Sequence, residues 1–344
     1  MSNISALVRG NIRRLKPYSS ARHEFAGDAD IFLDANENPN DNGYNRYPDP
    51  LQKQLKRQLC RLKQIDPSQL FLGNGSDEAI DLLIRIFCEP MTDHIITLPP
   101  TYGMYKVCAD ISNVSVIEIP LLPGFQLDVD RILSESNVHS KILFACSPNN
   151  PTGNLMDSQG LHRILDSFAG IVVIDEAYID FCESASWVKK RSQYPNLVIL
   201  QTMSKAWGLA AIRLGLAIAD PEIIEWMNAV KPPYNVNQLT QEKALSMLQN
   251  EEEMHMTVKK IVSERERVAS SLASLPYIIE VLPSDANFLL IRMLEPKRIF
   301  RSLIEKGIVV RDRSTQPLCE GCLRITVGNE QENTILIDTL NAYA

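Results

Sequence analysis

The amino-acid sequence predicts an α/β protein with a large domain, in which a mostly parallel sheet lies between helices, and a smaller α+β domain. Three short apolar runs in the middle of the chain are β-branched and do not alternate, namely residues 141–146, 171–174 and 197–200. Such runs are typical of strands buried on both faces of a parallel sheet. A helical pattern with one apolar face separates the first two runs, at 161–168. This alternation predicts βαβ units with right-handed crossovers.

The flanks of this region continue the same order of elements. Before it, helices with one apolar face are predicted at 51–62 and 80–87, and a short strand at 70–72 precedes the second helix. After it, Asp220 followed by Pro221 predicts a helix start. Asp is a favoured N-cap residue, and Pro is well suited to the first helical position.

The last third of the chain predicts a second domain. Residues 240–275 form a charged stretch without Gly or Pro, which we expect to be one long helix that bridges two domains. Further elements are predicted beyond it: strands at 278–282, 288–291, 308–310 and 323–327, and a helix at 296–305. The chain is therefore divided into three parts: an N-terminal arm with part of the small domain at 1–35, a large domain at 36–240, and the bridging helix with the small domain at 241–344.

Charge and composition exclude several classes of protein. The chain has 344 residues, of which 35 are Lys or Arg and 42 are Asp or Glu, so its net charge is −7. This balance argues against a general nucleic-acid or anionic-membrane binder, because both need a basic surface. No segment approaches the roughly 18 apolar residues that a membrane helix needs, and no secretory signal is recognisable. We expect a cytoplasmic protein.

The cysteines and histidines predict no metal site. Seven cysteines are scattered over the chain, and their odd number favours free thiols in a reducing compartment. The spacing of Cys319 and Cys322 could suit zinc or redox chemistry, but a second pair of ligands and a thioredoxin-like context are both missing. We expect these two residues to pack in the core. The five histidines form no cluster with metal-ligand spacing.

Four segments carry the candidate chemistry. They are NPTG at 150–153, DEAY at 175–178, the pair Ser204 and Lys205, and Arg213 eight residues after the lysine. Each segment alone is weak evidence, since an NPTG is most often a turn and a lone arginine is most often on the surface. Together they lie just beyond the carboxyl ends of predicted parallel strands, where open α/β sheets bind their ligands.

This combination of side chains suits pyridoxal 5'-phosphate. Lys205 would bond covalently to the cofactor aldehyde and, once released, would move a proton as a base. Asp175 would pair with the pyridine nitrogen and favour the protonated ring. Tyr178 and Asn150 would donate hydrogen bonds to the 3-oxygen of the ring. Tyr102 lies in a predicted turn and could stack on the ring, although alone it would more often be a packing residue.

Two elements are predicted to bind the cofactor phosphate. Arg213, with Ser204 or Thr202, offers a guanidinium and a hydroxyl. The other element is the loop GNGSD at 73–77, which follows a predicted strand and opens a helix. The free N–H groups of Ser76 and Asp77 at that helix start would attract an anion. The alternative is that one of these two side chains simply caps the helix.

Over nearly the whole chain, the sequence resembles the fold-type I aminotransferases and, among them, the histidinol-phosphate aminotransferase family. The cofactor segments above carry the first resemblance. RYP at 46–48 and RLG at 213–215 also match. The second resemblance is carried by LDANENP at 33–39, PPTYGMY at 99–105 and the C-terminal pattern of RD at 311–312 followed by CLRITVG at 322–328. The resemblance implies the cofactor roles given above, with Lys205 as the residue that bonds to the cofactor.

The resemblance also implies a shared active site and a substrate pocket. Tyr47 matches a tyrosine that reaches the cofactor phosphate of the neighbouring subunit, which implies a homodimer. Tyr18, Arg311 and Arg324 match positions that bind the substrate phosphate, and Asn36 lies in a segment that lines the same pocket. In relatives that act on amino acids, the arginine that matches Arg324 binds the α-carboxylate.

The implied reaction is the transfer of an amino group from L-histidinol phosphate to 2-oxoglutarate in histidine biosynthesis. Its products would be imidazole-acetol phosphate and L-glutamate, formed in a ping-pong sequence. Two alternatives stay open from the sequence. One is another reaction on the same scaffold, by an aromatic or aspartate aminotransferase or a phosphothreonine-type decarboxylase. The other is a non-catalytic module that senses pyridoxal phosphate.

Overall fold

The large domain is built on one seven-stranded sheet. The computed structural model of the protein describes residues 4–18, 31–182 and 186–343. The strands of this sheet are β1 (Leu70–Asn74), β2 (His94–Thr97), β3 (Ser115–Glu118), β4 (Ser140–Cys146), β5 (Ile171–Asp175), β6 (Leu197–Thr202) and β7 (Leu214–Ala219). Their spatial order is β1-β7-β6-β5-β4-β2-β3. Strands β3, β2, β4, β5 and β6 pair in parallel, whereas β7 is antiparallel to both β6 and β1.

The central strands are buried on both faces, as their continuous apolar sequences predict. In β5, Val172 and Ile174 contribute to the core on one side of the sheet, and Ile171 and Val173 contribute to the core on the other side. This division follows from the two-residue period of a strand. The sheet therefore lies between two layers of packed side chains, and the predicted mostly parallel architecture is confirmed.

Helices cover both faces of this sheet and continue into the second domain. They are Ile4–Leu7, Gly10–Arg13, Lys53–Lys63, Gly75–Phe87, Met104–Ile111, Val129–Glu135, Ser158–Ser167, Pro221–Val230, Gln238–Met247, Glu251–Ala273, Pro296–Glu305 and Glu330–Asn341. Short 3-10 helices lie at Pro67–Gln69, Ile179–Phe181, Trp187–Gln193, Ala210–Ile212 and Leu248–Asn250. Within the described ranges, none of these helices has the length and apolar character needed to cross a membrane.

The smaller sheet has four antiparallel strands. They are β8 (Ile278–Val281), β9 (Phe288–Met293), β10 (Arg311–Asp312) and β11 (Cys322–Thr326), in the order β10-β11-β9-β8. The prediction of a strand at 308–310 is wrong in position, because the strand lies at Arg311–Asp312. Ile308 continues from the preceding helix through a hydrogen bond to the Leu303 carbonyl, and Val310 packs into the small-domain core. Pairing with β11 begins only at Arg311.

The single helix predicted at 240–275 is also wrong, because the chain forms two helices there. Gln238–Met247 and Glu251–Ala273 are separated by the 3-10 turn Leu248–Asn250. The second helix contacts two hydrophobic clusters, since Met254 belongs to one and Leu272 to the other. Strand β9 also contributes to both clusters, through Phe288 and Leu289. The bridging role of the helix between two domains stays a prediction.

Part of the predicted N-terminal arm is described. Ile4 and Val8 are buried against the large sheet, and the Arg9 N–H donates to the Ile86 carbonyl at 3.0 Å. Residues 19–30 of the arm lie outside the described residues. The division of the chain at residues 35 and 240 stays our proposal.

Cys60, Cys88, Cys108, Cys146, Cys319 and Cys322 are free thiols. Cys319 and Cys322 are fully buried in the same hydrophobic cluster as Met254. They therefore pack as expected and form no disulfide with each other.

Gly215 allows a close approach between β7 and the helix that begins at Gly75. A Cβ atom at residue 215 would overlap backbone atoms of Gly75 and Ser76. Gly75 itself has φ +72°, and its N–H donates to the Arg213 carbonyl at 2.8 Å. These contacts fix the start of the helix beside Arg213, so the absence of a side chain at residue 215 is a packing requirement.

We expect Gly215→Ala to lower the free energy of unfolding by about 1–3 kcal/mol or more, because the added methyl overpacks a backbone contact. Gly103→Ala is the matched control, since a Cβ there meets no atom within 4 Å and should change stability by less than about 1 kcal/mol. Urea unfolding of both variants measures the difference. Equal unfolding midpoints for Gly215→Ala and the parent protein would contradict the packing argument.

Candidate active site

Six strands of the large sheet end at the same edge, and the candidate site lies where β1, β4, β5 and β6 end. Because β7 is antiparallel to both of its neighbours, β1 runs in the same direction as β6. The last residues of β4, β5 and β6 are Cys146, Asp175 and Thr202. A cavity of about 480 Å³ opens at this edge. It is the position at which open α/β sheets bind ligands.

Most of the side chains predicted from the sequence line this cavity. They are Ser76, Asp77, Tyr102, Asn150, Asp175, Tyr178, Thr202, Ser204, Lys205, Arg213, Arg311 and Arg324. Arg311 and Arg324 come from the small sheet, whereas the others come from the large domain. The cavity is therefore formed between the two domains.

Asp175 is a buried carboxylate at the floor of the cavity. Its Oδ2 accepts a hydrogen bond from the Tyr105 hydroxyl at 2.7 Å, and its Oδ1 accepts one from the Ala177 N–H at 3.1 Å. Burial raises the pKa of Asp175 to about 6, and these two hydrogen bonds limit the rise. Within the described part of the chain, Asp175 forms no ion pair. A cationic ligand group would therefore be stabilised beside it.

Lys205 lies in the turn after β6, with its Nζ 5.6 Å from the centre of the Tyr178 ring. Loss of hydration lowers the pKa of Lys205. The charges of Arg324 and Arg213 lower this pKa further, while Asp175 opposes them. The neutral amine is therefore favoured more than in an ordinary lysine, and only that form can act as a nucleophile or a base.

Tyr178 presents a protonated phenol to the cavity. Its ring packs edge-on against Phe288, with the ring centres 5.1 Å apart. Burial raises the pKa of Tyr178 well above its usual value. The hydroxyl is thus a hydrogen-bond donor at any ordinary pH.

The start of the helix Gly75–Phe87 forms an anion-binding end of the cavity. Asn74 is the N-cap residue, and it makes no side-chain capping bond. The alternative in which Ser76 or Asp77 caps the helix is therefore not observed. The first N–H groups and the helix dipole point toward the cavity, where an anion is favoured.

Arg213 and two hydroxyl residues lie beside this helix start. The Arg213 guanidinium donates to Asp77 Oδ2 at 3.1 Å, and the Tyr102 hydroxyl donates to Asp77 Oδ1 at 3.0 Å. Thr202 Oγ1 donates to Ser204 Oγ at 3.0 Å. Asp77 thus orients a cation and a phenol at the rim of the anion-binding end.

A cationic wall faces these groups from the small domain. Arg311 and Arg324 are directly opposite each other on β10 and β11. The Arg324 guanidinium donates to Asn150 Oδ1 and lies over the Phe288 ring, 5.3 Å from its centre. Burial lowers the pKa of Arg324, and the neighbouring charge of Arg313 lowers it further. The wall is positively charged, and no carboxylate of the described residues forms a salt bridge with it.

Three predicted residues are not brought into this cavity. Tyr47 and Asn36 line a second cavity of about 430 Å³, and the Tyr47 ring stacks on Tyr234 with ring centres 4.4 Å apart. Tyr18 is 73% exposed and lines neither cavity. Within one subunit, these side chains therefore lie apart from Lys205.

The structure adds two residues that the sequence analysis missed. Tyr105 is fully buried, stacks on Phe144 and holds Asp175. It lies three residues after Tyr102, and that helical spacing was the available signal. Arg313 also lines the cavity. It lies two residues after Arg311, which is the spacing of side chains on one face of an extended chain.

Comparison with known proteins agrees with this geometry. The family model described as aminotransferase class I and II matches residues 28–340. A histidinol-phosphate aminotransferase of Parabacteroides distasonis is 53% identical over 340 residues, which are 99% of each chain. The crystal structure of the histidinol-phosphate aminotransferase from Clostridium acetobutylicum has a TM-score of 0.80 and 26% identity, covering 87% of this chain and 90% of that chain.

A second solved structure supports the fold. The histidinol-phosphate aminotransferase from Sinorhizobium meliloti, solved in complex with pyridoxal-5'-phosphate, has a TM-score of 0.78 and 20% identity, covering 87% of this chain and 84% of that chain. The predicted fold class is confirmed. The chain belongs to the aminotransferase class I and II family and, within it, to the histidinol-phosphate aminotransferases.

Proposed function

We propose that this protein transfers the amino group of L-histidinol phosphate to 2-oxoglutarate in histidine biosynthesis, giving imidazole-acetol phosphate and L-glutamate. The observation that carries the proposal is one cavity in which Lys205 and Asp175 face Arg311 and Arg324. A lysine and a buried carboxylate suit transamination, and a pair of arginines suits a substrate phosphate. Curated relatives with this name match the chain along its full length.

The side chains in the cavity fit pyridoxal 5'-phosphate. When bound, this cofactor supplies an electron sink that stabilises negative charge at the carbon next to the amino group. The uncapped start of the helix Gly75–Phe87, together with Arg213, would hold its phosphate. Asp175 would face its pyridine nitrogen, and Lys205 would bond to its aldehyde. Asp175 has no ion pair in the described chain, which supports this assignment.

The residues around the substrate then have separate tasks. Lys205 Nζ would take the proton from the substrate carbon that bears the amino group and would give it up again to complete a 1,3-proton shift, because its lowered pKa favours the neutral amine. The Tyr178 hydroxyl would donate a hydrogen bond in the cavity, since burial keeps it protonated. Arg311 and Arg324 would orient the substrate through its phosphate.

We also propose a cytoplasmic homodimer with shared active sites. The free thiols of Cys60, Cys88, Cys108, Cys146, Cys319 and Cys322 support a reducing compartment. Tyr47 supports the shared site, because it is half exposed and does not line the cavity of its own subunit. In a two-fold dimer, the side chain could serve the cavity of the other subunit.

The rival reactions on the same scaffold make different products. A decarboxylase would release carbon dioxide, and an aromatic or aspartate aminotransferase would prefer a donor without phosphate. Arg311 and Arg324 favour the phosphate-bearing donor, since a dianion offsets more positive charge than a carboxylate does.

The first experiment is a titration of the cofactor-loaded protein with L-histidinol phosphate in the absence of an oxo acid. The visible absorption band of the bound cofactor should disappear, and 2-oxoglutarate should restore it. Lys205→Ala should abolish this cycle and the turnover, whereas Lys53→Ala, an exposed lysine elsewhere, should behave as the parent protein. An unchanged band refutes the proposed donor. In a separate assay with O-phospho-L-threonine, release of carbon dioxide would identify a decarboxylase. The absence of any band after cofactor addition refutes the cofactor.

Ionisation of Asp175 lowers the stability of the cofactor-free protein, so this stability depends on pH. Its folded-state pKa of about 6 lies above the ordinary value of 3.8. The folded protein therefore binds more protons than the unfolded chain between these values, and stability falls as the pH rises from about 4 to about 6. From the pKa difference, this loss is about 3 kcal/mol at most.

We expect Asp175→Asn to remove that pH dependence in the cofactor-free protein. Relative to the parent protein, the variant should gain up to about 3 kcal/mol in free energy of unfolding between pH 4 and pH 7, because Asn does not ionise. Urea unfolding at several pH values measures the difference between the two proteins. A difference that does not change with pH would show that the carboxylate is ionised at little cost.

Complementation between inactive variants tests the shared site. Tyr47→Ala and Lys205→Ala should each lower activity strongly alone, but their heterodimer should contain one intact site. Random association should then restore about a quarter of the parent activity, since half of the dimers are mixed. Co-expression with two affinity tags yields the mixed dimer, and Lys205→Ala paired with the parent chain calibrates the assay. Activity that does not recover would place Tyr47 at the site of its own subunit.

A further inference from the structure

Three arginines, rather than the two identified from the sequence, form the cationic wall of the cavity. Arg311, Arg313 and Arg324 all line it. Arg311 and Arg324 are direct cross-strand partners, an arrangement in which like charges destabilise the sheet. A guanidinium cannot relieve this repulsion by losing its proton, because its pKa is too high. The wall therefore carries a fixed positive charge that favours a bound anion.

The part of the chain that the structure describes supplies no carboxylate to neutralise this wall. Within the described ranges, none of the three arginines forms a salt bridge with an acidic side chain. The adjacent Asp312 is turned to its own loop, where Oδ1 accepts a hydrogen bond from the Ser314 N–H at 2.8 Å. The Nε atoms of Arg313 and Arg324 are buried without a hydrogen-bond partner. A buried donor without a partner lowers the stability of the protein unless a bound ligand accepts its hydrogen bond.

Arg313 is the central charge of the three. Burial lowers the pKa of Arg313, and the largest contribution from a neighbouring charge comes from Arg311. For Arg324, burial is again the first cause, and Arg313 is the next. Arg313 therefore interacts electrostatically with both other arginines, and all three line the same cavity.

The loop that carries Arg313 is held rigidly by its backbone. The Arg313 N–H donates to the Cys322 carbonyl at 2.9 Å, and the Arg313 carbonyl accepts from the Gln316 N–H at 2.9 Å. The Cys319 and Cys322 side chains anchor the same loop, because both are completely buried. The buried Cys319 and Cys322 side chains thus hold the loop that carries Arg313 against the core. A guanidinium on a fixed loop loses little entropy when it binds.

We propose that Arg313 is a specificity-determining residue that binds the phosphate of the amino donor together with Arg311 and Arg324. This inference rests on the proposed function. A phosphate monoester carries close to two negative charges at pH 7 and has three acceptor oxygens. A carboxylate carries one charge and two oxygens. The third guanidinium therefore favours a phosphate over a carboxylate in this cavity.

The test compares two amino donors in the cofactor-loaded enzyme, so that the cofactor's own phosphate site is filled. Arg313→Gln should reduce kcat/KM for L-histidinol phosphate about 10–100-fold, mainly through KM, because uniform binding is lost. The same variant should reduce kcat/KM for L-glutamate less than about threefold. Inhibition of the glutamate reaction by inorganic phosphate should weaken in parallel. Arg313→Lys should recover part of the loss, since it keeps the charge but not the planar fork.

Arg301→Gln is the matched control, because it removes one positive charge from an exposed position of the helix Pro296–Glu305. It should leave both donors unaffected. Urea unfolding midpoints identify any variant that is destabilised. If Arg313→Gln is destabilised, the comparison of the two donors is made with Arg313→Lys instead.

The outcomes separate this inference from the proposed function. An equal loss for both donors, or a larger loss for glutamate, overturns the role of Arg313 in phosphate selection. A parent enzyme that does not use L-histidinol phosphate refutes the proposed function. If inorganic phosphate still inhibits that enzyme and Arg313→Gln relieves the inhibition, the phosphate site itself stands.

Discussion

The buried carboxylate of Asp175 is the constraint around which the site is organised. It lies at the end of β5, where its partners among the described residues are one phenol and one backbone N–H, and burial raises its pKa to about 6. A carboxylate in this position is stabilised by a cationic ligand group, and the protein places none against it in the described chain. The anion-binding helix start and the arginine wall lie on other sides of the cavity. The cavity therefore presents separate positions for a cation and for two anionic groups.

The sheet topology explains why these groups meet. Parallel strands bring the residues after β4, β5 and β6 to one edge, and the antiparallel β7 returns the chain so that Arg213 lies beside the start of the helix Gly75–Phe87. That return depends on Gly215, where a side chain would overlap the helix backbone. The small domain then supplies the arginines from its own sheet. A site of this kind needs both domains, and the helix Glu251–Ala273 contacts two hydrophobic clusters.

The sequence predicts the parts of this arrangement that are local. Continuous apolar runs identify β4, β5 and β6, and the segments just after them place Asn150, Asp175 and Lys205 in the cavity. The contact between Tyr105 and Asp175 is different, because 70 residues separate the partners and only the folded sheet brings them together. The turn at Leu248–Asn250 escaped prediction for the opposite reason. It contains neither Gly nor Pro, so no strong helix-breaking residue marks it.

In the proposed reaction, the charges around Lys205 would connect substrate binding to proton transfer. Arg324 and Arg213 lower the pKa of this lysine, whereas Asp175 raises it. An anion bound by Arg324 offsets one of the two lowering charges, so it shifts Lys205 toward its protonated form. A cationic group beside Asp175 weakens the effect by which this carboxylate raises the pKa of Lys205, and so shifts the lysine toward the neutral amine. The basicity of one side chain thus depends on ligands bound at two separate positions. The small domain takes part in this control, since Arg324 belongs to β11.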